Sequence, residues 1–190
     1  MRRKTFDVLM TAVGAVFMVT LLMAGGLASW GSSFANGQVH DQLASQKIYF
    51  PPSAAFDHPA VGTSITPSMI PSVSQYAGQQ LLTGQQAKVY ANDFIAVHLN
   101  EIGGGLTYAQ LSAKAMADPT NTALQAQVET VFKGTMLRGS LLTAYAFSVF
   151  GTIASMAAIG CYILGGVMFV LTLLGLWHYR RVDDEAVILR

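Results

Sequence analysis

The chain has 190 residues, of which 52% are hydrophobic and only 11% charged, with a formal net charge of +1. Ordinary soluble domains carry roughly 25% charged residues, so the composition is that of a membrane protein whose first partner is the lipid bilayer. A near-zero charge without a basic run provides no face for nucleic acid.

Arg2, Arg3 and Lys4 lie in a short N-terminal flank, residues 1–7. Residues 8–30 follow without a charged side chain, long enough for a bilayer core of about 30 Å, which takes roughly 20 helical residues. Trp30 closes the segment as an aromatic interface anchor. A basic start, an apolar run and the residues Ser33, Phe34 and Ala35 would also suit a cleavable signal peptide. The run is longer than the usual signal core and ends in an aromatic anchor, which favours a retained first transmembrane helix.

Residues 31–139 form the intervening domain, with Val39 and Leu43 four apart in an extension of the first helix or a helix just after it. Tyr49-Phe50-Pro51-Pro52 stops any helix, because proline lacks a donor and restricts its predecessor. Pro59, Gly62, Pro67 and Pro71 make residues 51–72 a Pro-rich loop, the first place to seek partner binding. Residues 85–102 read as a helix with Ala87, Tyr90, Ala91, Phe94, Val97 and His98 on one face, opposite Lys88, Asn92 and Glu101. Gly103-Gly104-Gly105 ends it. Residues 107–117 read as a short Ala-rich helix, after which Asp118-Pro119 reads as a cap with proline at the first helical position. Leu124, Val128, Val131, Phe132 and Met136 make an apolar stripe at helical spacing. Strand signals are scarce, so a small all-α domain is expected, its last helix running on without a breaker.

Residues 140–177 again lack charge, and as one helix they would reach about 57 Å at 1.5 Å per residue. No proline or polar turn divides them into a hairpin. The second transmembrane helix is therefore placed with its core at about 157–177. Residues 140–156, with Tyr145, Phe147 and Phe150, would then extend out of the membrane and pack against another surface. Gly25 with Ser29, Gly151 with Ser155, and Ala154 with Ala158 are small residues four apart, candidates for close helix packing within the chain or between subunits. Trp177 and Tyr179 mark the second interface, and Arg180 and Arg181 open the tail, residues 178–190. Basic flanks collect on the cytoplasmic side, so both termini are expected inside and residues 31–139 outside. The acidic Asp183-Asp184-Glu185 reads as a solvated tail.

The chemistry-bearing residues are few and scattered. Cys161, the single cysteine, lies in an apolar segment and reads as a packing residue. His40, His58, His98 and His178 show no metal-ligand spacing; His98 on an apolar face reads as a hydrogen-bonded core histidine. Asp93 and Glu101 are eight apart and do not form an acid–base pair. No nucleophile elbow or phosphate-binding loop is present, and neither apolar segment carries an ionisable residue in its middle. No catalytic residue, no metal ligand and no cofactor is expected.

Residues 39–52 (VHDQLASQKIYFPP), 76–99 (YAGQQLLTGQQAKVYANDFIAVHL), 107–121, 133–147 (KGTMLRGSLLTAYAF) and the closing Gly-Leu-Trp-His resemble a group of actinobacterial two-pass membrane proteins without an established activity. The resemblance covers nearly the whole chain and implies an actinobacterial plasma membrane. It carries no functional residues across. The expectation is thus an all-α membrane protein, two transmembrane helices flanking a small helical extracytoplasmic domain. Its role is read as a non-catalytic accessory or scaffold subunit, with a protein partner or as a homo-oligomer. The alternative is a receptor-like extracytoplasmic ligand binder acting through a partner.

Overall fold

The computed structural model describes residues 3–57, 59 and 65–181. Arg2, His58, residues 60–64 of the Pro-rich loop and residues 182–190, with the acidic run, lie outside the described residues. The described chain is all-helical, 82% helix and without strands. Two helices are long and apolar enough to cross a membrane, α1 (Arg3–Gln46) and α7 (Thr122–Tyr179). Between them come α2 (Ala54–Asp57), α3 (Ile70–Val73), α4 (Gly84–Val89), α5 (Ala96–Ile102) and α6 (Tyr108–Ala117). The limits of the uncharged runs at residues 30 and 140 lie inside continuous helix: α1 continues to Gln46, and α7 has already begun at Thr122. The chain divides into two compact units, one of residues 35–150 and one containing residues 3–34 and 151–181.

In the second of these units the two helices run antiparallel and meet through small side chains. A Cβ built on Gly175 would come 2.6 Å from the Thr11 hydroxyl, one on Gly14 3.2 Å from Thr172, one on Gly165 3.0 Å from Leu22, and one on Gly25 3.0 Å from Tyr162. The sheltered positions of α1 are 4, 7, 11, 14, 18, 21, 25, 28 and 32, flanked by 15, 29 and 31. Those of α7 are 151, 154, 158, 161, 165, 168, 172 and 175, flanked by 155 and 160. Both follow the alternating 3–4 spacing that keeps one seam facing a partner helix. Here the seam is marked by side-chain size, since most of the other positions are apolar too.

The unit of residues 35–150 has its own core, centred on Leu43, Phe50, Met69, Val73, Leu81 and Leu141. α1 ends because Lys47 adopts the left-handed conformation, φ 51°, and Gln80 donates its side-chain amide to the Ala44 carbonyl at 3.0 Å. That bond satisfies one of the carbonyls a helix end leaves unpaired. The chain then lies beside residues 78–81: the Phe50 N–H donates to Gln79 and the Leu81 N–H to Ile48, both at 2.9 Å. A row of rings, Tyr76, Phe50, Tyr90, Phe94 and His98, continues inward with neighbouring centroids 4.4–5.2 Å apart.

Three local expectations are corrected. The Pro-rich segment contains two short helices and buries Phe56 and Met69. Pro71 sits in the first turn of α3, where a missing N–H breaks no bond. The helix expected over 85–102 begins at Gly84, where Thr83 and Gln86 cap each other reciprocally. It passes through a π-helical segment, Tyr90–Ile95, whose extra residue per turn rotates the faces. Val89 and Ile95 become buried, and Asn92 is only partly exposed. Finally, α7 is capped by Asn121, which accepts the Leu124 N–H at 3.0 Å, and Asp118 instead accepts from Thr120 and Asn121. Phe132 and Met136 of the expected stripe are exposed, Phe132 packing on the Tyr108 ring at 5.3 Å. The sheltered face of α7 runs through 124, 128, 131, 135 and 138.

Candidate functional site

That face carries a charge in a position where the repeat expects an apolar residue. Arg138 follows Val131 by seven and Thr135 by three, so it faces the interior of the 35–150 unit, where its Nη2 donates to Asn92 Oδ1 at 2.8 Å. The π-helical segment is what turns Asn92 toward it. The Arg138 Nε is buried and has no hydrogen-bond partner. Among the described residues no carboxylate forms an ion pair with this guanidinium.

Arg138 borders an open cleft of about 350 Å³, lined by the end of α5, the glycine turn, the start of α6 and one face of α7. Leu99, Leu106 and Val131 supply apolar wall, while Asn100, Thr107, Tyr108 and Thr135 supply polar groups. The turn is compact for a physical reason. Gly104 and Gly105 take positive φ of 58° and 78°, a conformation cheap only for glycine, and the Gly105 N–H closes on the Asn100 carbonyl at 2.8 Å. Thr107 then starts α6 in a capping box with Gln110. Thr135 donates its hydroxyl to Val131 at 2.7 Å, leaving the oxygen free to accept. The arrangement can hold a small anionic group at one end and apolar matter at the other.

The residues singled out from the sequence fall in the other unit. Gly25, Gly151 and Ala158 are buried, and Ser29, Ala154 and Ser155 partly so; Ser29 Oγ and the Tyr162 hydroxyl are 3.2 Å apart. Trp30 is exposed and stacks on Phe34 at 5.6 Å. At the opposite end of α1, Arg3 reaches His178 at 3.4 Å and the Lys4 ammonium lies 5.7 Å from the Tyr179 ring. Arg181 stacks over Trp177 at 4.0 Å, and Arg180 continues the last turn. The basic residues Arg3, Lys4, Arg180 and Arg181 thus share one end of that unit with Trp177 and Tyr179. Cys161 sits beside Gly25.

Among the described residues no three His, Cys, Asp or Glu side chains gather in a metal-binding group. His40 pairs with its neighbour Asp41 at 3.2 Å. His98 Nδ1 donates to the Phe94 carbonyl at 2.8 Å, and its Nε2 is buried without a hydrogen-bond partner among the described residues. Burial raises the Tyr90 phenol above its ordinary value, and Lys133 lowers the exposed Glu129 carboxyl through a hydrogen bond.

Sequence reasoning missed Arg138 and the close-packed Gly14, Gly165 and Gly175. The signal for Arg138 was present: extending the stripe 124, 128, 131 by the helical repeat lands on it. No protein-family profile, curated protein or solved structure is significantly similar to this chain.

Proposed function

We propose that the chain is a two-pass plasma-membrane protein, with α1 and α7 crossing the bilayer, both termini cytoplasmic and the 35–150 unit extracytoplasmic. It serves without catalysis, as an accessory or scaffold subunit of a larger membrane assembly. The most apolar windows of α1 and α7 are only 6% and 11% buried, whereas a core helix of a soluble protein hides its apolar surface. The basic end formed by Arg3, Lys4, Arg180 and Arg181 fits the cytoplasmic side. The actinobacterial resemblance agrees with this setting.

One observation carries the subunit reading. Exposed apolar side chains run along α7 from Phe147 and Phe150 to Trp177 and Tyr179, a stretch of about 50 Å at 1.5 Å per residue. A bilayer covers about 30 Å with its core and 40–45 Å with its interfaces. We read the surplus as the seat of a protein neighbour. Purification of the tagged full-length chain in mild detergent, with native mass measurement, tests this: a stoichiometric second membrane protein supports the reading, and a partner-free particle sinks it. The Arg138 cavity favours a second reading, ligand binding by the 35–150 unit.

A further inference from the structure

The Arg138 cavity is not accounted for by helix packing. A guanidinium is always charged and carries five donors in a planar fork. Asn92 takes one of them, and the buried Nε–H has none. Asn92 is a neutral amide, so the charge itself is uncompensated by any carboxylate among the described residues. Arg138 is partly buried, and a guanidinium half withdrawn from water with no described carboxylate within ion-pair distance gains charge-assisted bonds from an anion that reaches it. The cavity beside it is open space of about 350 Å³, of a size suited to a small organic molecule.

The surroundings narrow the class of anion. A phosphate or sulfate carries more charge and is usually held by several cations or backbone N–H groups. Here a single cation lines the cleft with Leu99, Leu106 and Val131, and Thr107, Tyr108 and Thr135 complete the lining. One guanidinium edge matches one carboxylate in size and charge. We propose that this cavity binds a small organic monocarboxylate, its carboxylate on Arg138 and its apolar body against Leu99, Leu106 and Val131. The inference rests on the ligand-binding reading and is independent of the subunit reading.

The test uses the full-length protein in detergent micelles, titrated calorimetrically with acetate, butyrate, hexanoate and benzoate, and with hexanamide and hexanol as uncharged counterparts. Saturable binding is expected for hexanoate or benzoate, with Kd between about 0.1 and 10 mM for ligands of so few atoms. Hexanamide should bind at least about tenfold more weakly, because the charge-assisted bonds are lost. Arg138→Gln should abolish carboxylate binding. Should that variant fail to fold, Ala109→Phe places bulk at an exposed position on the cavity wall and should abolish binding with the guanidinium intact and the unfolding temperature unchanged. The proposal is overturned if no carboxylate binds saturably, if hexanamide binds as well as hexanoate, or if both variants bind as the parent does. Binding of hexanol or hexanamide with no carboxylate binding would keep the ligand-binding reading and discard the carboxylate.

Discussion

Gly84 allows α4 and α7 to approach within the 35–150 unit. A Cβ there would overlap the Ser148 side chain and stand 3.3 Å from the Tyr145 Cα, and the backbone atom cannot rotate away. Gly84→Ala should therefore destabilise the protein by about 1–3 kcal/mol through overpacking, although alanine is the better helix former. Differential scanning in detergent reads this directly, and an unchanged or raised unfolding temperature refutes it. Two residues on, Gln86 is buried and tied down by five bonds: its side-chain carbonyl accepts from the Leu82 N–H, the Thr83 N–H and the Thr83 hydroxyl, its side-chain amide donates to Gln79 at 3.0 Å, and its backbone N–H donates to the Thr83 hydroxyl. Gln86→Ala would leave two loop N–H groups and Gln79 unpaired, a loss of about 1–3 kcal/mol. Tyr90 sets the alkaline limit of the same unit. Burial raises its folded-state value above the ordinary 10.0, so the unfolded chain loses the proton first. Stability is then full below about pH 10 and falls as pH rises toward the folded value. Tyr90→Phe should flatten that fall; parallel alkaline unfolding curves for parent and variant would exclude Tyr90 as its source.

At the scale of elements, the helices were legible because their signals are local, and their contacts were not. The uncharged runs at 8–30 and 140–177, the Ala-rich helix over 107–117 and the stop at Gly103 depend on neighbouring residues alone. The seam between α1 and α7 depends on size within an apolar background, which a hydrophobic period cannot reveal. Gly25 and Ala158 were found as small-residue pairs, whereas Gly14, Gly165 and Gly175 were not, because the 3–4 register emerges only when both helices are aligned. The π-helical segment was hidden for another reason: nothing local in YANDFI distinguishes it from α-helix, and it is held where Asn92 meets Arg138 from a helix 46 positions away. The seam makes its own prediction. The Thr11 Cβ lies 3.6 Å from a Cβ built on Gly175, inside the disulfide range of about 3.5–4.5 Å. With Cys161→Ser as background, Thr11→Cys combined with Gly175→Cys should cross-link on mild oxidation. After protease cleavage between the helices, the fragments should stay joined until reduced. Fragments that separate without reductant would disprove the antiparallel register.

For the whole molecule, the distribution of charge decides how the chain would sit in a bilayer. Lys47, Lys88, Lys114, Lys133 and Arg138 nearly balance Asp41, Asp57, Asp93, Glu101, Asp118 and Glu129 within residues 31–139, so that part crosses a membrane potential at little electrical cost. The described basic end is different. Arg3, Lys4, Arg180 and Arg181 bring four positive charges together, and each gains about 1 kcal/mol beside an anionic inner leaflet. Moving each of them outward against 100 mV would cost about 2.3 kcal/mol more. The two terms act together and favour one orientation. Cysteine labelling in intact cells checks it, again with Cys161→Ser to remove the native thiol. Ser53→Cys, exposed ahead of α2, should react with a membrane-impermeant maleimide, while Arg180→Cys should react only after lysis. Labelling of Arg180→Cys but not Ser53→Cys in intact cells would place the basic end outside and the 35–150 unit inside, reversing the reading of the flanks. Labelling of both sites, or of neither, before lysis would overturn the two-pass arrangement, since that arrangement puts residues 53 and 180 on opposite sides; in the reversed orientation any carboxylate reaching Arg138 would have to come from the cell interior.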